Sequence, residues 1–145
     1  ILNSNLITWY YRKISLEERR TMAQTYIESL EKLPIRYDES IWNCLEFLCK
    51  CLLILKEGPI FEYIDKDIID TLIYELYLGQ QLEQDGLDSN FNKNLKGYIF
   101  NIDKLESEKD KIKAIKKFSD DIKSDSVIQN QIRTIKEHPW IQKFY

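Results

Sequence analysis

The apolar positions of this chain fall into stripes at helical spacing, separated by a few Gly, Pro and polar points. Over residues 1–13, Leu2, Leu6, Trp9 and Tyr10 follow at intervals of four, three and one, which predicts a helix with one buried stripe. Residues 15–22, SLEERRTM, are too polar for a core and read as a loop or a single exposed turn. Residues 24–36 fit a short strand through Tyr26 and Ile27 or a short helix through Ile27, Leu30 and Leu33, and Pro34 ends either one. A longer helix is predicted from a cap at Asp38 or Ser40. Its stripe of Ile41, Leu45, Leu48, Leu52 and Leu55 is widened by Cys44, Phe47, Cys51 and Ile54, so it needs cover on more than one side. Gly58-Pro59 ends it. In the next helix, over residues 61–82, Ile64, Ile68, Leu72 and Leu76 repeat every four residues beside Ile69, Ile73 and Tyr77. The short connection predicts an antiparallel hairpin.

After a break at Gly86 and Ser89, three more helices are expected. The first is lined by Phe91, Leu95, Ile99, Ile102 and Leu105, and the second by Ile112, Ile115, Phe118 and Ile122. The third, capped by Ser124 or Asp125, is lined by Ile128, Ile132 and Ile135 and stops at Pro139 before the aromatic tail of Trp140, Phe144 and Tyr145. Because the first helix begins in mid-pattern, Leu2, Leu6 and Trp9 are expected to stay partly uncovered.

Composition sharpens this reading. Four Gly and three Pro in 145 residues leave little turn chemistry, which favours long helices. No apolar run approaches the roughly 18 residues of a membrane span. The net charge of −3 conceals segregation. Residues 1–37 hold six Lys and Arg against four Asp and Glu, residues 38–90 three against twelve, and residues 91–145 twelve against eight. The acidic middle is a poor surface for a phosphate backbone and the flanks are better ones. Cys44, Cys49 and Cys51 share one helix, where their spacing allows neither a disulfide nor a shared metal. They read as buried, reduced thiols of a cytoplasmic protein. His138 is the single histidine, which excludes a multi-His metal site; it reads as a helix-end or surface residue.

The first 36 residues carry a more specific pattern. The run ILNSNLITWYY and the later YIESLEKLPI resemble the "LNSxLIxWYY" and "xYIxxLxxLPI" blocks of the TaqI-like C-terminal specificity domain of DNA adenine-N6 methyltransferases and type IIG restriction–modification enzymes. Residues 69–77, IDTLIYELY, resemble the "IDxLVYELY" signature that follows that domain. Residues 124–141, SDSVIQNQIRTIKEHPWI, resemble the tail of one subgroup. The resemblance implies a C-terminal piece of a larger enzyme. Residues 1–37 would be the end of a mixed α/β target-recognition domain, residues 38–89 a helical hairpin spacer, and residues 90–145 a helical tail. The whole is then mainly α. The implied partners are double-stranded DNA and an upstream methyltransferase domain. S-adenosylmethionine, and Mg2+ for a nuclease, would serve the parent. This chain itself has no "NPPY" motif, no Gly-rich cofactor turn and no nuclease motif, so no catalytic, cofactor or metal residue is assigned in it.

By the same resemblance, the polar loop after the first helix lies near DNA. Arg12, Lys13, Arg19, Arg20, Thr21 and Gln24 are the contact candidates, since Arg reads guanine edges, Gln reads adenine and Lys suits phosphate. The competing reading is a solvated turn paired with Glu17 and Glu18. A second basic run, Lys109, Lys111, Lys113, Lys116, Lys117 and Lys123, reads as the polar face of its helix. The alternative for the chain as a whole is a purely helical protein-interaction module whose acidic hairpin docks a basic partner.

Overall fold

Local caps set most of the helix boundaries. A computed structural model describes residues 4–14, 31, 33–87 and 90–145, and among them every regular element is helical, with no strand. Helix α1 (Asn5–Ile14) starts where Ser4 Oγ accepts the Ile7 N–H at 3.3 Å. Helix α2 (Glu39–Leu55) starts at Asp38, whose carboxylate accepts the Ile41 N–H at 3.0 Å, so Asp38 and not Ser40 is the cap. It ends where Lys56 and Gly58 take positive φ angles of 64° and 107°. Glycine adopts such a conformation freely; lysine does so only under constraint.

Pro59 then opens a short helix α3 (Pro59–Tyr63) in the first-turn position that proline favours. The chain continues through a π-helical segment, Ile64–Ile69, into α4 (Asp70–Gln84). The sequence pattern predicts one unbroken α-helix here. A four-residue apolar repeat overshoots the 3.6-residue α turn by about 40° each time. The wider π turn takes up that drift, and Ile64, Ile68, Leu72 and Leu76 all remain buried.

The tail departs from its pattern twice: its first helix ends early, and Ile112, expected in the second stripe, is exposed. Helix α5 (Phe91–Lys96) stops at Gly97 instead of running to Leu105, because glycine is costly in a helix interior. The next regular turn is a single 3₁₀ turn, Ile102–Lys104. Ile102 is still buried and Ile99 half-buried, so the apolar pattern there reports burial and not helix. Helix α6 (Glu108–Ser124) is capped by Ser107, which accepts the Asp110 N–H and donates to its carboxylate. Helix α7 (Ser126–Lys136) is capped by Asp125, which accepts the Val127 and Ile128 N–H groups and, on its other oxygen, the Tyr98 hydroxyl at 2.5 Å. A 3₁₀ turn, Ile141–Phe144, follows.

One contiguous core runs from Leu6 to Ile141. The hairpin forms as predicted, with α2 packed against the π segment and α4. The extra cover that the wide α2 stripe requires comes from α5 and α6. Phe47 meets Phe100 and Phe118 edge-on, each at 5.1 Å. Against expectation, Leu6 is buried, because α1 lies on α4; Leu2 is outside the described residues. Cys44 and Cys51 are buried, and burial pushes their thiols up to about 11 and about 12. Cys49, expected to be buried, is exposed, since it sits about 200° around α2 from Cys51.

Candidate nucleic-acid interface

Helix α1 is held at its start and along its length and offers its end to solvent. Its first N–H, from Asn5, donates to Asp70 Oδ1 at 3.2 Å across 65 residues of chain. Trp9 meets the edge of Phe144 at 5.2 Å, and Phe144 stacks on the wholly buried ring of Tyr74 at 6.0 Å. Arg12 and Lys13 close the last turn and are exposed. Cations there are favoured by the helix dipole, so local energetics alone would place them. The Lys13 ammonium lies 6.0 Å from the Trp9 ring centroid. These two candidates are thus brought together at one helix end. Arg19, Arg20, Thr21 and Gln24 lie outside the described residues.

Asp70 is a buried, perturbed carboxylate beside α1. It is 2% exposed, and its Oδ2 has no hydrogen-bond partner among the described residues. Burial raises its pKa from 3.8 to about 6; the Asn5 N–H, Lys66 and Lys136 offset part of that cost and Asp65 adds to it.

The 69–77 segment reads as a set of anchors as well as packing. Asp70 takes the start of α1, and Glu75 accepts the Asn92 N–H at 2.8 Å, fixing the first turn of α5. Tyr77 Oη accepts the Arg36 N–H at 3.1 Å. The Arg36 guanidinium donates back to the Leu76 and Tyr77 carbonyls at 3.4 and 3.2 Å. Tyr77 sets its hydroxyl at the edge of the core, while the Tyr74 hydroxyl is buried beside Asn5 and Tyr145. Asp70 and Arg36 were missed. The available signal was a charged side chain set inside an apolar helix face, which cannot be buried cheaply without a partner.

The second basic run lies on α6, away from α1. Lys109, Lys113, Lys116 and Lys117 are exposed and share the side opposite the buried Ile115, Phe118 and Ile122. Lys123 instead lies over the Tyr63 ring at 4.6 Å. This is the arrangement of an ordinary solvated face. His138 is at a helix end, as read, and its Nε2 lies 3.2 Å from Asp85 Oδ2. It ties the last turn of the tail to the end of α4.

Two surface depressions complete the picture. A polar cleft of about 630 Å³ between α2, α4 and α5 mixes Arg36, Lys93 and Lys96 with Asp38, Glu75 and Glu83, which does not suit a phosphate backbone. An apolar groove of about 650 Å³ runs past Ile35, Tyr37, Trp42 and Cys49. Among the described residues, no group of three or more His, Cys, Asp or Glu converges as a metal site, and no helix is long and apolar enough to cross a membrane.

No curated protein and no solved structure gives a match to the chain. Residues 1–35, which contain α1 and end beside Arg36, match the family model of the TaqI-like C-terminal specificity domain, found in type IIG restriction–modification enzymes and methyltransferases.

Proposed function

We propose that this chain contributes to sequence-specific DNA reading in a type IIG restriction–modification enzyme or a related adenine-N6 methyltransferase. The observation that carries the reading is the specificity-domain match of residues 1–35, which implies a DNA target-recognition role. The exposed Arg12 and Lys13 in the last turn of α1 support it. Arg12, Lys13, Arg19, Arg20, Thr21 and Gln24 are the proposed contacts. The hairpin and tail give this segment a rigid base and pack it against the rest of the parent. S-adenosylmethionine serves the parent family of methyltransferases. That chemistry, with Mg2+ for a nuclease, we assign to an upstream methyltransferase part of a cytoplasmic parent.

The test is substitution of Arg12, Lys13, Arg19 and Arg20 by Ala, one at a time, in the intact enzyme. Methylation of the cognate site and of single-mismatch sites is compared, with DNA binding followed between about 50 and 200 mM salt. Loss of a phosphate contact should weaken all sequences alike and lower the salt slope by about one. Loss of a base contact should cost about 1–3 kcal/mol at one position of the site. Wild-type rates and site preference in all four variants would sink the proposal and leave the helical interaction module in its place.

A further inference from the structure

Helix α4 holds the matched segment at both ends. Near its start, Asp70 Oδ1 accepts the Asn5 N–H at the head of α1. Midway along α4, Tyr77 Oη accepts the N–H of Arg36, just past the segment's end, and the Arg36 guanidinium returns to the Leu76 and Tyr77 carbonyls while lying 5.9 Å from the Tyr77 ring centroid. Asp70, Tyr74 and Tyr77 follow at intervals of four and three, so they share one face of α4. Seven residues of α-helix separate the two anchors by about 10 Å. Between them, Tyr74 carries Phe144, which receives Trp9 from the middle of α1. Each anchor joins groups distant in sequence, by 65 and 41 residues. Neither is needed for α4 itself to form.

The cost of Asp70 argues in the same direction. A carboxylate 2% exposed with one oxygen unpartnered is an expensive way to fill an apolar helix face. What it provides is a charge-assisted acceptor for a helix N-terminus, with fixed direction. Tyr77 likewise presents its hydroxyl to a backbone N–H and its ring to the same residue's guanidinium, which sets the chain's heading after Pro34.

We infer that Asp70 and Tyr77 are positioning residues: a two-point mount on one face of α4 in which Asp70 fixes α1, and with it Arg12 and Lys13, in the orientation used to read DNA, and Tyr77 fixes the chain at Arg36, where the matched segment leaves off. The consequence for DNA rests on the function proposed above; the mount itself does not.

The test uses the full chain with Asp70→Ala, Asp70→Asn and Tyr77→Phe. Amide hydrogen exchange reports the mount without reference to DNA. Asp70→Ala should speed exchange along α1 about tenfold, the loss expected for one charge-assisted hydrogen bond, while α6 and α7 keep their protection. Asp70→Asn, which retains an acceptor in place, should restore most of it. Tyr77→Phe should act on the Arg36 amide in the same local way. A uniform rise over the whole chain, or no rise, would overturn the mount. In the intact enzyme, selection from a randomised-core duplex library reports the consequence. The Asp70→Ala/Tyr77→Phe double variant should bind total DNA as the wild type does but enrich a broader set of sites. Unchanged enrichment alongside local opening of α1 would overturn the positioning role. A wild type that enriches no sequence would overturn the DNA-reading function and the positioning role together, leaving the exchange result to stand for the mount alone.

Discussion

Replacing Asp70 by Asn removes a buried charge while keeping an atom that can accept the Asn5 N–H. The native carboxyl holds its proton up to about pH 6, against 3.8 for a free side chain, because burial disfavours the charged form more than its partners favour it. The native state therefore binds more protons than the unfolded chain between these two values. Stability contributed by Asp70 is fully present below pH 3.8, falls as the pH rises through about 6, and is flat above. The difference corresponds to about 3 kcal/mol, and at 2% exposure solvent screening removes little of it. This is opposite in sign to a salt-bridged carboxylate. The Asn variant cannot titrate there, so its stability relative to wild type should improve by about 3 kcal/mol between about pH 4 and pH 7.5. The new amide brings a buried donor to the unpartnered Oδ2 position, which costs about 1–3 kcal/mol at every pH. The pH dependence of the difference, not its absolute level, therefore carries the test. Urea unfolding followed by tryptophan fluorescence measures it, with Trp9 on α1 and Trp42 on α2 as reporters. Wild-type and variant stabilities that run parallel across this range would refute the buried, charge-strained Asp70.

Leu48→Asp or Leu72→Asp should abolish cooperative folding, because both side chains are wholly buried in the hairpin core and an unpaired charge there costs several kcal/mol; a thermal melt within a few degrees of wild type would remove the hairpin from the core. Asp125→Ala should destabilise the chain by about 1–2 kcal/mol, since it removes the α7 cap and the partner of the Tyr98 hydroxyl together; unfolding unchanged in urea would show the cap to be idle. A thiol reagent should modify one cysteine quickly and two only on unfolding, and Cys49→Ser should remove the fast phase, because Cys44 and Cys51 are buried with raised thiol pKa values; fast labelling of the Cys49→Ser chain would contradict their burial.

Much of the scaffold is written locally. Asp38, Ser107 and Asp125 each cap the helix that follows by bonding N–H groups two or three residues on, and Gly58-Pro59 sets the hairpin turn from four adjacent residues. Interactions of that range are visible as spacing along the chain. The mainly helical class and the hairpin followed from them. The specificity-domain segment was legible for a different reason: its residue types and order resemble a known pattern, and the family match covers residues 1–35.

What the sequence did not decide was how the apolar residues would be used. Ile99 and Ile102 continue a helical stripe in spacing, yet Gly97 ends α5 and they reach the core from irregular backbone, because burial constrains where a side chain goes and not how the chain brings it there. The π segment is a tertiary compromise that keeps a four-residue repeat on one face. The anchors on α4 lie furthest from view. Asp70 meets Asn5 and Tyr77 meets Arg36 only after the hairpin has closed and α1 has settled on α4. Nothing in the local sequence around Asp70 names a partner 65 residues away. The pattern could show that a charge sits inside an apolar face; only the packed structure could show which N–H it was placed there to meet.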